Sequence, residues 1–480
     1  MNPQKPVPPS AGRRLHGAGT VSRRLPVILA PLLLLSAGAA PLHAGDAGTS
    51  TAPSTLPELV LSALQSHERM VGAESAVRRA HAEVKLARSA LLPHLDLTGR
   101  FTRYQNEVSF SLGEGQSFVI QPLSDWNYSA NLSQTLFSGL RDWRARDVAR
   151  LRETAARIQR LSTAFDLTLE VSQAFFDTIA RRQGLEVRKA MYRQVEEQLR
   201  VAGRRFEVGE VTSADVARWT AELAAARQAL VVAEGEARLA ERRLARLAGV
   251  PEVDRLDPPP PVPAPEGEPE DLERVALQQR PEMLALDADL AAAGLMIKVE
   301  QGAWLPELDA NLQYFGQRAD FPSRNWLSLS LNLRVPIYDG GVTAARVARA
   351  REDEVMVEVL RSGMARVIRD QADRAAITYR TAVAALEAAE TRKRAAREAH
   401  RQVEDAYSAG EATTTDLLAA TSELTDARIS AIIAHWSREL AAIALRHAVG
   451  LPPVPGLSLP GELAEPAAGR AVPETRRNTP

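Results

Sequence analysis

Few residues in this chain are spaced for chemistry. Eight histidines occur (His16, His43, His67, His81, His94, His400, His435 and His447), and none stands in a metalloprotease spacing. There is no cysteine, which removes a disulfide framework, a thiolate metal site, a cysteine nucleophile and a lipid-modified N-terminal cysteine. Phosphate-cradling glycine loops, a nucleophile-elbow serine and a compact carboxylate pair are also missing. Acids such as Asp287, Asp289, Glu352 and Asp353 read as solvated helix faces. The sequence therefore predicts no cofactor, no metal site and no enzyme. What stands out is a pair of acids, Asp215 and Asp416, that occupy the same place in two copies of one motif.

The copies lie 201 positions apart. RRFEVGEVTSADV (204–216) overlies DAYSAGEATTTDL (405–417), matching Phe206 to Tyr407, Gly209 to Gly410, Glu210 to Glu411 and Asp215 to Asp416. The same shift carries LAGVP (247–251) onto AVGLP (448–452), so a long unit is written twice. Gly209 and Gly410 suit the left-handed end of a helix. Ser213 or Thr212, and Thr414 or Thr415, offer N-caps for the helix that returns. In that returning helix Val216, Leu223, Leu230, Ala237 and Leu244 are seven apart. Trp219, Ala226, Ala233, Ala240 and Leu247 form a second such row, repeated as Ala420, Ala427, Ala434, Ala441 and Ala448. Heptad rows rich in Ala predict closely packed helical hairpins with tight tips.

Other stretches must position those tips. A 67-residue run, 140–206, has no Pro and would be ~100 Å long as a helix, over three hydrocarbon thicknesses. The returning helix covers about half of it, and a helix over 56–90 has the length to cover the rest. The second copy repeats this with 342–407, 414–449 and 272–303. Between helices the period becomes two. Leu95, Leu97 and Phe101, then Tyr128, Ala130, Leu132 and Leu136, alternate with polar residues. Leu308, Ala310, Leu312 and Tyr314, then Leu327, Leu329, Leu331, Leu333 and Val335, do so in the second copy. Each copy thus supplies two strands, joined by loops 105–125 and 316–324, the first loop absorbing twelve extra residues around Gly113, Gly115 and Gln116. Strands with one apolar and one polar face suit a membrane barrel, and four are too few to close one from a single chain. Trp126, Tyr128, Trp304, Tyr314, Trp326 and Tyr338 fall at strand ends, where interfacial rings sit.

The N-terminus reads as an export signal: Arg13, Arg14, Arg23 and Arg24, an apolar run over 25–35, small residues, and a cut after Ala44. A net charge of -1 gives no reason to expect a nucleic-acid partner. The expected layout is a signal peptide (1–44) followed by a first repeat (45–256). That repeat holds a strand hairpin at 94–136, a long helix at 140–206, a tip at 207–213 and a heptad helix at 214–248. A Pro-rich connector (257–271) leads to the second repeat (272–452), with its hairpin at 307–337, long helix at 342–407, tip at 408–414 and heptad helix at 415–449. A disordered tail (453–480) ends the chain.

Helix, Leu-Pro, two strands, a Gly-rich junction (QTLFSGL at 134–140, VPIYDGGV at 335–342), long helix, Gly tip and heptad helix, in that order and twice, resemble the TolC-like outer-membrane efflux and secretion channels. The resemblance covers about residues 56–452. It implies a mainly α protein with a membrane β-barrel part. Three chains would give four β-strands each, and a helical tunnel would cross the periplasm of a Gram-negative bacterium. It also implies passive conduction of small molecules such as drugs or metal ions, with an inner-membrane transporter and a periplasmic adaptor as partners. Type I protein secretion is the alternative cargo route, and a periplasmic coiled-coil scaffold the alternative class. By motif match the adaptor-contacting tips would be Gly209, Glu210, Val211 and Thr212 with Gly410, Glu411, Ala412 and Thr413. Asp416, with Asp215, would form the aperture, as ringed carboxylates do in other pores. Well-known members of that family carry a second Asp one turn later, and this chain departs from the pattern with Ala419 there, so the resemblance does not extend to a doubled ring.

Overall fold

The computed structural model describes residues 55–111, 117–318 and 323–457. The expected signal peptide, Gly113, Gly115 and Gln116 of the first loop, and the tail beyond residue 457 lie outside them. In chain order the first copy holds α1 (Leu56–Ser66), α2 (Glu68–Ser89), β1 (His94–Arg103), β2 (Val108–Ser111), β3 (Ser117–Gln121), β4 (Ser124–Ser138), α3 (Arg141–Glu207) and α4 (Ser213–Ala248). The second holds α5 (Pro269–Gln279), α6 (Pro281–Gln301), a 3-10 turn (Gly302–Trp304), β5 (Glu307–Gln317), β6 (Asn325–Arg334), α7 (Val342–Ser408) and α8 (Thr414–Ala448).

The single helices expected over 56–90 and 272–303 are each two. His67 is extended (ψ 135°), and its ring Nδ1 accepts from the Arg69 amide at 3.2 Å, capping α2. In the second copy Pro281 drives the residue before it out of the helical region, so Arg280 is extended (ψ 126°). Its buried guanidinium then bonds Glu282 at 2.9 Å and Gln371 at 2.9 Å.

β1, β4, β5 and β6 form one antiparallel sheet in that order, leaving β1 and β6 as its two edges. Register places Leu95, Leu97 and Phe101 on one face with Trp126, Tyr128, Ala130 and Leu132 of β4. Continuing across, Ala310, Leu312 and Tyr314 of β5 and Leu327, Leu329, Leu331 and Leu333 of β6 share that face. Among the described residues nothing covers it: Leu97 is 81% exposed and the β6 leucines are 65–71% exposed. Three expectations are corrected. Leu136 sits in a bulge between Thr135 and Phe137 rather than continuing the alternation. Trp326 pairs with Phe315 and lies on the polar face, because its neighbour Leu327 pairs with Tyr314 on the apolar one. The loop expected at 105–125 carries a second, two-stranded sheet, β2 with β3, in addition to the four strands foreseen.

Both long helices are continuous over 67 residues. α2 and α4 pack along α3, α8 packs along α7, and α6 and α8 bridge the two long helices. A core gathers at the waist, where α1, α4 and α8 meet α3 around Phe175, Phe176, Leu244 and Ile443. Phe176 stacks on Trp436 there, with ring centroids 5.7 Å apart. The Pro-rich connector is extended but docked, and it ends at Glu268 because α5 begins at Pro269. Val253 and Val262 are buried in the waist core. Glu439 accepts the Val262 amide at 2.8 Å, and Arg182 donates to the Val253 carbonyl at 2.6 Å. Arg446 straps the connector to the segment after α8 through the carbonyls of Pro263 (3.3 Å) and Pro452 (2.9 Å), and burial lowers its pKa. Val454 belongs to the same core, so the chain remains packed beyond the expected start of the tail at 453.

Candidate functional site

Each tip is built from backbone rules. α3 and α7 run out into Gly209 (φ 80°) and Gly410 (φ 79°), a conformation that costs a residue with a Cβ. The Glu210 amide reaches back to the Arg205 carbonyl at 2.8 Å, and Glu411 to that of Ala406 at 2.8 Å, closing the helices with six-to-one bonds. The returning helices open on Thr212 and Thr413. In the second tip this corrects the expected caps, Thr414 or Thr415, by one or two positions.

Asp215 and Asp416 complete these caps. Thr212 accepts the Asp215 amide at 3.3 Å, while Asp215 Oδ2 accepts the Thr212 amide at 3.1 Å and its hydroxyl at 2.7 Å. Thr413 and Asp416 repeat the reciprocal pattern at 3.2, 2.9 and 2.6 Å. The threonine hydroxyls hold both carboxyls below the usual carboxylate range. Each acid therefore has a structural task, and each keeps its negative charge at neutral pH.

The structure brings the two tips side by side. Arg218 donates to Thr415 across the gap at 3.3 Å and lies 3.7 Å from Asp215. The Arg205 guanidinium sits 5.8 Å over the Tyr407 ring. Beneath them Trp219 and Leu417, both buried, pack in one cluster with Met191 and Val195. Gly209, Glu210, Thr212, Gly410, Glu411 and Thr413 are exposed, and Val211 and Ala412 are half-buried. Sequence reasoning missed the Arg218–Thr415 and Arg205–Tyr407 links. Pairs of that kind join chain segments some 200 residues apart, and no local pattern encodes them.

At the other end of the molecule the sheet carries aromatic rings on its apolar face. Trp126 and Tyr128 stack with centroids 5.7 Å apart, and Tyr314 lies 6.1 Å from Tyr128. The Tyr128 ring covers Gly316, where an added Cβ would fall 2.3 Å from it. Trp304 and Tyr338 are exposed where the sheet meets the helices. Two aromatic zones thus flank a band of leucines, as in a strand layer that crosses lipid.

The family model described as "Outer membrane efflux protein" matches residues 59–250 and 272–451, one stretch in each copy. The chain belongs to that family. Its relatives include the outer membrane efflux protein BepC of Brucella suis, 26% identical over 417 residues that cover 84% of this chain and 87% of that protein. The pyoverdine export outer membrane protein OpmQ of Pseudomonas putida is 26% identical over 64% of this chain and 67% of that protein. Among solved structures, the open-state outer membrane channel MtrE of Neisseria gonorrhoeae superposes with a TM-score of 0.69 at 19% identity, over 84% of this chain and 91% of that one. The chain is a TolC-like outer-membrane efflux protein, mainly α with a barrel-forming sheet, located in the Gram-negative outer membrane. Membership in this family sets aside the soluble periplasmic scaffold.

Proposed function

We propose that three copies of the chain close one twelve-stranded barrel in the outer membrane and continue it as a helical tunnel through which small molecules leave passively. The observation that carries this reading is the uncovered sheet, with a leucine face in water and two unpaired edges. All neighbours in the sheet are antiparallel, so β6 of one copy meets β1 of the next antiparallel as well and the strand count stays even. Four strands cannot close a barrel alone. Exposed Met356, Val359 and Leu360 on α7 give the next copy an apolar flank to cover, and Leu86 on α2 with Val231 and Leu239 on α4 offer the complementary side.

In this reading the molecule is two repeats, 45–256 and 272–452, whose described residues fold as one unit, and it performs no catalysis. The tips Gly209–Thr212 and Gly410–Thr413 face a periplasmic adaptor, which couples the duct to an inner-membrane transporter. Asp416, with Asp215 beside it, rings the aperture and favours cations there. A relative named for pyoverdine export supports a small-molecule cargo over a secreted protein.

A chain without cysteine makes the seam between copies testable. Thr98→Cys on β1, combined in turn with Ser328→Cys, Ser330→Cys and Asn332→Cys on β6, is expected to give a covalent ladder that stops at the trimer in oxidised outer membranes. Protein released with the periplasmic contents, or no ladder with any pair, would overturn the reading.

A further inference from the structure

Below the waist core, α4 and α8 stand as walls on either side of α3 and leave an open groove of about 450 Å³. On α8, Ile429, Ile433, Trp436 and Leu440 recur at helical spacing and turn an apolar stripe into it, with Ile433 54% exposed. Phe176 and Trp436 give the groove an aromatic base. Their rings stack at 5.7 Å, and the indole N–H donates to Gln183 Oε1 at 2.9 Å, so that surface is held in place. Gly184 lies on the floor, in the interior of a 67-residue helix where glycine is less favourable than alanine. A Cβ built on it meets nothing within 4 Å, so no close packing calls for the glycine and the space above it stays open.

Charge in the groove is uneven. Arg181 is spent on its own surroundings, bonding Asp177 and Glu236 at 2.9 Å each. Arg188, two turns nearer the tip, has one ion pair among the described residues, Asp426 at 3.7 Å, which is too long for a hydrogen bond. Its side chain is 32% exposed, and a guanidinium carries five N–H donors, so donors remain for an incoming anion. Phe176 and Arg188 both line the groove, and their backbone positions are ~18 Å apart along the α3 axis. An extended chain of about twelve carbons, met by the long arginine side chain, has that reach.

We propose that this groove binds single-chain amphipathic carboxylates. The acyl chain lies along Leu185, Ile429 and Ile433 toward Trp436, and Arg188 donates to the carboxylate. One chain supplies every wall, so the site stands apart from the way copies close the barrel.

The test uses full-length, signal-processed protein in lipid nanodiscs, with 11-bromoundecanoate as the probe and tryptophan fluorescence as the readout. Bromine quenches an indole only at close range, and subtracting the signal of a Trp436→Phe variant removes the other tryptophans and any probe dissolved in lipid. The Trp436 component is expected to be quenched saturably. The isomer 2-bromoundecanoate, whose bromine stays beside Arg188, should compete for the groove and quench far less. Arg188→Gln should raise the half-saturating concentration roughly tenfold, the scale of one lost charge-assisted hydrogen bond. Uncharged 11-bromoundecanol should bind the wild type about as weakly and be insensitive to that change. Gly184→Leu fills the groove where the helix has room for a side chain and should abolish quenching. No saturable quenching of Trp436, equal quenching by the two isomers, or wild-type behaviour in Arg188→Gln or Gly184→Leu overturns the site. Quenching seen only after residues 458–480 are removed, or only in dissociated single chains, also overturns it, since the groove then belongs to the tail or to a second copy.

Discussion

The two tips share a sequence pattern and a backbone yet differ in their surroundings. Both end a 67-residue helix on a left-handed glycine and restart it with a Thr-x-x-Asp box. Asp215 is partly covered, its side chain 21% exposed, with Arg218 at 3.7 Å and the Thr414 hydroxyl bearing on it as well. Asp416 is exposed and has no ion pair among the described residues; its stabilisation comes from Thr413 alone. Duplication therefore preserved the fold of the tip and left one carboxylate beside an arginine and the other without an ion pair among the described residues. An exposed carboxylate with no cation beside it can act on ions outside the protein, so the proposed aperture role is assigned to Asp416 before Asp215.

The largest effect is expected where both tips share support. Trp219→Ala should cost about 3–5 kcal/mol of tip stability, as truncating a buried aromatic does, and loosen the second tip along with the first in hydrogen exchange. Loosening confined to the first tip would break the idea of a shared footing. Next, Asp416→Ala should weaken block of the open channel by polyvalent cations by roughly tenfold, a 1.4 kcal/mol change, while Asp215→Ala leaves the block near the wild-type level. Equal effects would erase the contrast between the acids. Thr413→Ala and Thr212→Ala should each cost about 1 kcal/mol locally, read as faster exchange of the first-turn amides of α8 and α4.

The smallest effect is the pH response of the caps. Both carboxyls are depressed in the folded chain, so their contribution is fully present above the unfolded aspartate value of about 3.9 and is lost as pH falls through the lower folded values. Exchange at the α4 and α8 first turns should accelerate only in that acid range. Acceleration between neutrality and pH 5 would point to a different titrating group.

Much of this architecture was legible because it is periodic. Alternation in 307–335 gave the β5–β6 pair, and heptads gave most of the buried positions of α4, Trp219, Ala226, Ala237, Ala240 and Leu244, with Ala245 and Ala248 buried off those rows. Failures came where one side chain decides against the pattern. His67 ends a helical run because its ring can cap the next one, a choice that hydrophobic spacing does not register. Pro281 did signal the α5–α6 break, and the helical spacing that resumes on both sides of it masked that signal. In the second tip three consecutive threonines competed, and Asp416 three residues after Thr413 was the feature that selected the cap. Trp326 was assigned to the lipid side by its position at a strand end, when the parity of its strand put it on the other face. The connector's composition gave its extended backbone but not its docking, which Val262 supplies by burying into the waist while Glu439 accepts its amide.

Conductance reaches the central claim most directly. Detergent-extracted, signal-processed protein added to a planar bilayer is expected to insert as a trimer and give discrete, stable current steps. A compact monomer that extracts without detergent, or a purified trimer that inserts yet passes no current, would contradict it.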